Sequence, residues 1–164
     1  MVNFCGAGIL PARLLRGSIQ VKTASMGITY AEIELIRSDD LALVAAGFIQ
    51  EDRIRRVRVT ALVDSGASML VIPESIKNQL NLRKVDEQQA ELADGTVINM
   101  DVVGPIEIRF ENRRAIADAL VLSGEVEVLL GAIPMQAMDV LIDPKNERLI
   151  VNPKSPDKAR MLLK

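Results

Sequence analysis

The chain has no histidine in its 164 residues. A Ser-His or Cys-His nucleophile pair, a histidine proton shuttle and a histidine-ligated zinc are therefore all excluded. A single cysteine, Cys5, forms no internal disulfide and is too little for a thiolate metal site. Tryptophan is absent and aromatics make up only 2% of the residues, so any core is aliphatic. No apolar run approaches the ~20 residues that span a bilayer as a helix. The net charge of −2 gives no reason to expect nucleic acid or an anionic membrane as the main partner. What remains for acid-base chemistry is carboxylate, lysine or tyrosine, and no cofactor is called for.

The first 25 residues contain no Asp or Glu, carry Arg13, Arg16 and Lys22, and are broken by Gly6, Gly8, Pro11 and Gly17. They read as a disordered leader, with Met26 a candidate start of the folded part; a targeting peptide is the alternative. From Met26 the pattern is mostly strand-like. Ala31, Ile33 and Leu35 alternate with Glu32 and Glu34, and Leu41 to Ile49 forms a second apolar run. Val57, Val59, Ala61 and Val63 then share one face of a strand, opposite Arg56, Arg58 and Thr60. The arginines at 53, 55, 56 and 58 could form a phosphate patch, but their alternating placement favours a solvated strand face.

That third strand delivers Asp64 to a tight turn, Ser65-Gly66-Ala67-Ser68, followed by the short apolar run Met69 to Ile72. Asp, Ser and Gly are ordinary turn residues, so the local alternative is a turn-capping aspartate. Pro73 fits the first position of a helix through Leu80. Extended segments are expected at 82–92 and again from Thr96, with Asp94-Gly95 as the hairpin turn between them. Further strands are expected at Ile106 to Phe110, Ala115 to Leu122, Val126 to Gly131, Val140 to Asp143 and Arg148 to Val151, with a short helix from Ile133 to Met138. A tail from Pro153 to Lys164 reads as loosely held. The order of strand, glycine, proline and helix recurs around Gly66 and Gly131, which suggests an internal repeat.

Two segments carry a family resemblance. Ala61-Leu62-Val63-Asp64-Ser65-Gly66-Ala67-Ser68, with Val71-Ile72-Pro73, resembles the active-site signature of retropepsin-like aspartic proteases, and Val128-Leu129-Leu130-Gly131 with the following helix resembles their second motif. The match is most similar to the bacterial single-domain members. It implies an all-β fold, a closed acid-protease barrel with one or two short helices, spanning residues 26–152.

The resemblance also implies a function. Asp64 would be catalytic and would act with Asp64 of a second chain in a homodimer. Ser65, Gly66, Ala67 and Ser68 would support the active-site turn, Ala93, Asp94, Gly95, Thr96 and Val97 would form a flap over a polypeptide substrate, and Gly131 would be the second-motif glycine. Retroviral flaps are glycine-rich at the tip, whereas this one offers only Gly95. The expected protein is a cytoplasmic aspartic endopeptidase without metal, nucleic acid or membrane partner. The alternative is a retropepsin-like domain that binds peptide or dimerises with little turnover.

Overall fold

A computed structural model describes residues 28–163, and the expectations for the leader and for Met26 lie outside them. The domain is built on β-strands. In chain order these are β1 Thr29–Arg37, β2 Arg56–Val63, β3 Leu70–Pro73, β4 Lys84–Glu91, β5 Val97–Phe110, β6 Arg113–Leu122, β7 Val128–Leu130, β8 Val140–Asp143 and β9 Arg148–Val151. They form one sheet in the order β4-β5-β6-β3-β7-β2-β1-β9-β8, and an additional β5–β1 pairing closes six of them into a barrel. Closure pairs the six barrel strands on both sides and leaves β4 and β8 paired on one side only.

The alternation read from the sequence decides which face is inside. Ala31, Ile33 and Leu35 of β1, Ala61 and Val63 of β2, Leu70 and Ile72 of β3, and Val128 and Leu130 of β7 all meet in one aliphatic core. The opposite face of β1 and β2 carries charge, and here two arginines of the cluster find a partner. Arg56 and Arg58 both reach Glu34, at 3.2 and 3.3 Å, across the antiparallel β1–β2 pair.

Among the described residues three α-helices decorate the barrel, where one or two were expected: α1 Ser38–Ala45, α2 Glu74–Leu80 and α3 Ala132–Met138, with a 3-10 turn at Glu51–Arg53. Helix α1 replaces most of the apolar run read as extended. Its apolar residues are largely exposed, and Asp40 is its only buried residue. The helix is held by charge: Asp40 accepts from Arg37 at 2.6 Å, from the Arg55 backbone N–H at 2.9 Å and from the Arg55 guanidinium at 3.1 Å. Burial pushes the Asp40 carboxyl up, but the Arg55 N–H and Arg37 outweigh it and hold it below the usual carboxylate range.

The internal repeat has a structural counterpart. Helices α2 and α3 each follow a barrel strand, and each stops at a left-handed residue, Asn81 (φ 49°) or Asp139 (φ 54°). Each is then followed by a buried aliphatic, Leu82 or Val140, that leads into a hairpin. Asn and Asp tolerate this backbone better than other side-chain-bearing residues.

The segment after Val151 is hydrogen-bonded to the body at several points as far as Arg160. Asp139 accepts from Asn152 Nδ2 at 2.7 Å, from the Ser155 hydroxyl and from the Arg160 N–H at 2.9 Å. The buried Arg113 donates to the Ser155 carbonyl, and Asn112 donates to the Pro156 carbonyl at 2.8 Å. These contacts are hydrogen bonds, which leave no apolar periodicity in the sequence. Met161, Leu162 and Leu163 beyond it are exposed.

Candidate active site

Strand β7 lies between β2 and β3, parallel to β2 (Val63 beside Leu130) and antiparallel to β3 (Val71 opposite Leu129). The chain leaving β2 must therefore pass over the end of β7 to reach β3. Residues Asp64 to Met69 make that passage, and β7 with α3 holds them down. The Asp64 N–H donates to the Leu130 carbonyl at 3.0 Å; in return the Ala132 and Ile133 N–H groups donate to the Ala67 and Ser68 carbonyls at 2.8 and 3.0 Å. These bonds also satisfy donors that the start of α3 would otherwise leave free.

Gly131 is required by this crossing. A Cβ there would strike the Met69 carbonyl oxygen and lie 2.7 Å from the Ser68 carbonyl carbon. Gly66 has a different reason. Its N–H donates to Asp64 Oδ1 at 2.8 Å, and a Cβ on it would crowd the same oxygen at 3.1 Å. A further backbone bond from the Ala67 N–H to the Asp64 carbonyl, 3.2 Å, closes the turn. The Asp64 carboxylate is thus fixed on a rigid, half-buried turn whose Ser65, Gly66 and Ser68 are exposed.

The structure adds a surface that the sequence reading did not single out. Register carries one row of residues across the sheet: Tyr30, Leu62, Leu129, Val71, Leu120 and Val102. All lie opposite the core face, and by strand alternation Asp64 shares the side of Leu62. The carboxylate therefore lies two residues along the chain from Leu62, beside the Tyr30 end of a mostly aliphatic floor in which Val71 and Val102 are buried. Its alternation with the core residues was readable, but the alignment of six strands was not.

At the far end of that row, immediately beyond Val102, an arm leaves the barrel. Residues Val97–Asp101 of β5 pair only with β4, since pairing with β6 begins at Val102. Its tip contains the expected residues Ala93, Asp94, Gly95, Thr96 and Val97, all exposed. Leu92 N–H donates to the Thr96 carbonyl at 2.8 Å, Thr96 N–H donates to Asp94 Oδ1 at 2.9 Å, and Gly95 takes φ 84°. Ile98 and Met100, on the same strand face as Val102, are partly buried. At the root, Asp101 bridges Lys84 at 2.8 Å and Lys77 of α2 at 3.5 Å. Lys84 is the main cause holding the Asp101 carboxyl below its ordinary range.

Among the described residues no cluster of three or more metal-ligating side chains forms. None of their helices is long and apolar enough to cross a membrane. The family profile described as aspartyl protease matches residues 51–132, which run from the 3-10 turn through Asp64 and the arm to Gly131. The chain belongs to the aspartyl protease family. A search of curated proteins returns no match. Among solved structures, this aspartyl protease is similar to the solution structure of the simian foamy virus (mac) protease, with 18% identity, a TM-score of 0.44 and coverage of 65% of this chain and 91% of that one. The family assignment rests on the profile match, and the closed barrel is the retropepsin-like fold that the two motifs led us to expect.

Proposed function

We propose that this aspartyl protease is an endopeptidase working as a homodimer, with Asp64 of each chain forming one catalytic dyad. The observation that carries this reading is the position in register with Asp64 inside the same chain. Val63 pairs with Leu130, so the residue beside Asp64 on the neighbouring strand is Gly131, which has no side chain and no room for one. A second carboxylate must come from another copy, and the exposed turn leaves Asp64 open to one.

Two such carboxylates ~3 Å apart cannot both ionise, so the pair holds one proton and titrates as a unit, as in other aspartic proteases. The ionised member takes a proton from a bound water as its oxygen bonds to the peptide carbonyl carbon. The protonated member hydrogen-bonds to the carbonyl oxygen as charge develops there. When the C–N bond breaks, the departing amine takes a proton back from the dyad. Gly66 would orient the acting oxygen, and the β7 and α3 bonds would keep the turn from yielding.

An extended polypeptide would lie between the aliphatic floor and the underside of the arm, held by backbone bonds. Leu62, Leu129 and Val71 would favour aliphatic side chains near the cut. A second reading, a peptide-binding module with little turnover, is favoured by the arm tip, whose single glycine and cross-turn bonds leave it less free to close. Comparison of the wild type with Asp64→Asn on a diverse peptide library separates the two. The endopeptidase reading expects hydrolysis below neutral pH that is blocked by a pepstatin-type inhibitor and abolished in a folded Asp64→Asn. Turnover that survives the substitution would sink it; binding without turnover in the wild type would favour the module.

A further inference from the structure

At the opposite end of β2 from Asp64, some 25 Å away along an eight-residue strand, α1 and the 3-10 turn form a corner that the proposed reaction does not use. Helix α1 ends in a Schellman stop. Gly47, at φ 83°, donates its N–H to the Val44 carbonyl at 3.0 Å, and the Phe48 N–H donates to the Leu43 carbonyl at 2.9 Å. Such a stop normally brings two apolar side chains together. Here both stay in solvent: Phe48 is 76% exposed and Leu43 37%. The chain thus fixes an aromatic ring at the surface with its backbone already ordered, which lowers the entropic cost of binding against it.

Phe48, Leu43 and Ile49 line a cavity of about 430 Å³ together with Arg37, Asp40, Arg53 and Arg55. That volume lies within the usual range for ligand sites, ~300–1,000 Å³. Its one acid, Asp40, is buried and already engaged by Arg37 and Arg55. Arg53 makes no ion pair among the described residues, and the Arg55 side chain is 43% exposed. Asp39 is taken up by Arg83 at 3.0 Å and Arg37, while Glu51 and Asp52 of the 3-10 turn are exposed and do not line the cavity. The result is a notch of mixed polarity that combines Phe48, Leu43 and Ile49 with Gln50 and three arginines.

We propose that this corner is a docking site for an acidic peptide segment bearing an aliphatic side chain, which enters the notch beside Phe48 while flanking carboxylates meet Arg53 and Arg55. Charge selects this occupant. Residues 1–25 of the chain itself carry three bases and no acid, so they are mismatched to an arginine rim. The site requires no catalysis and stands whether or not the chain hydrolyses peptides.

The test is fluorescence anisotropy of the full chain with a fluorescein-labelled peptide, Gly-Asp-Glu-Leu-Glu-Asp. The expected result is saturable binding that falls at least tenfold in Phe48→Ala and in Arg53→Glu, falls with added salt, and is lost when the peptide leucine is replaced by serine. Both substituted positions are exposed, so thermal unfolding should be unchanged. Absence of saturable binding, or binding indifferent to Phe48→Ala, would overturn the proposal. So would tighter binding of a lysine-for-acid peptide or of an oligodeoxythymidine, or self-association in sedimentation that disappears with Phe48→Ala.

Discussion

The two halves of the domain use one plan for different ends. In the first, a barrel strand runs into Asp64, and after β3 a short helix capped by Asn81 leads into the long arm of β4 and β5. In the second, a barrel strand runs into Gly131, and a short helix capped by Asp139 leads into the compact hairpin of β8 and β9. The first half presents a carboxylate and a projecting arm; the second presents backbone to clamp the turn and side chains to anchor the tail. On the proposed reading, catalytic and structural duties are thus divided between matched positions, and a chain with one carboxylate at the turn is half a site.

The sharpest way to break the comparison is at its pivot. Gly131→Ala places a methyl against the Met69 and Ser68 backbone, which has no flexible end to yield. It should cost about 3 kcal/mol, as overpacking against fixed neighbours does, and abolish hydrolysis as the turn shifts. Chemical denaturation and peptide turnover measure the two effects. The floor is more forgiving. Leu62→Ala removes a half-buried side chain beside Asp64 and should cost about 1 to 2 kcal/mol, with a larger change in KM than in kcat. Equal changes in both parameters of an intact enzyme would argue against a floor role.

The arm should prove the most independent part. Gly95→Ala forces a side chain onto φ 84° and should cost up to about 1 kcal/mol, confined to the hairpin. Amide exchange should then quicken across 92–97 while the barrel is unaffected. The second half offers a test by pH. The Ser155 hydroxyl, then Asn152 and the Arg160 N–H, hold Asp139 at about 2, below the ~3.9 of an unfolded aspartate. A carboxylate with a depressed folded pKa stabilises above its unfolded value, and that contribution is lost as pH falls from about 4 through about 2. Asp139→Asn should therefore flatten this part of the acid-stability profile, read by thermal unfolding, and release the segment up to Arg160 to exchange.

How much of this was legible in the sequence follows from what kind of interaction built each part. Strands β1 and β2 and the 106–110 part of β5 follow from two-residue alternation, and the turn at Asp64 and the glycine at 131 follow from their motifs. Helix α1 did not, because its apolar residues face solvent and its one anchor is a buried aspartate paired with arginines from either side. The polar bonds of Asp139 and Arg113 to residues 155 and 160 likewise leave no periodic signal in the sequence. In the candidate site, Asp64 and Gly66 were found as a local pattern. The floor from Tyr30 to Val102 was missed because it exists only when six strands fall into register.

The most direct test of a shared dyad is a mixing experiment at fixed total concentration, in which inactive Asp64→Asn chains are exchanged with wild-type chains and turnover is followed. Two carboxylates drawn from two copies predict activity falling with the square of the wild-type fraction. A linear fall would mean that each chain works alone, and would contradict the account.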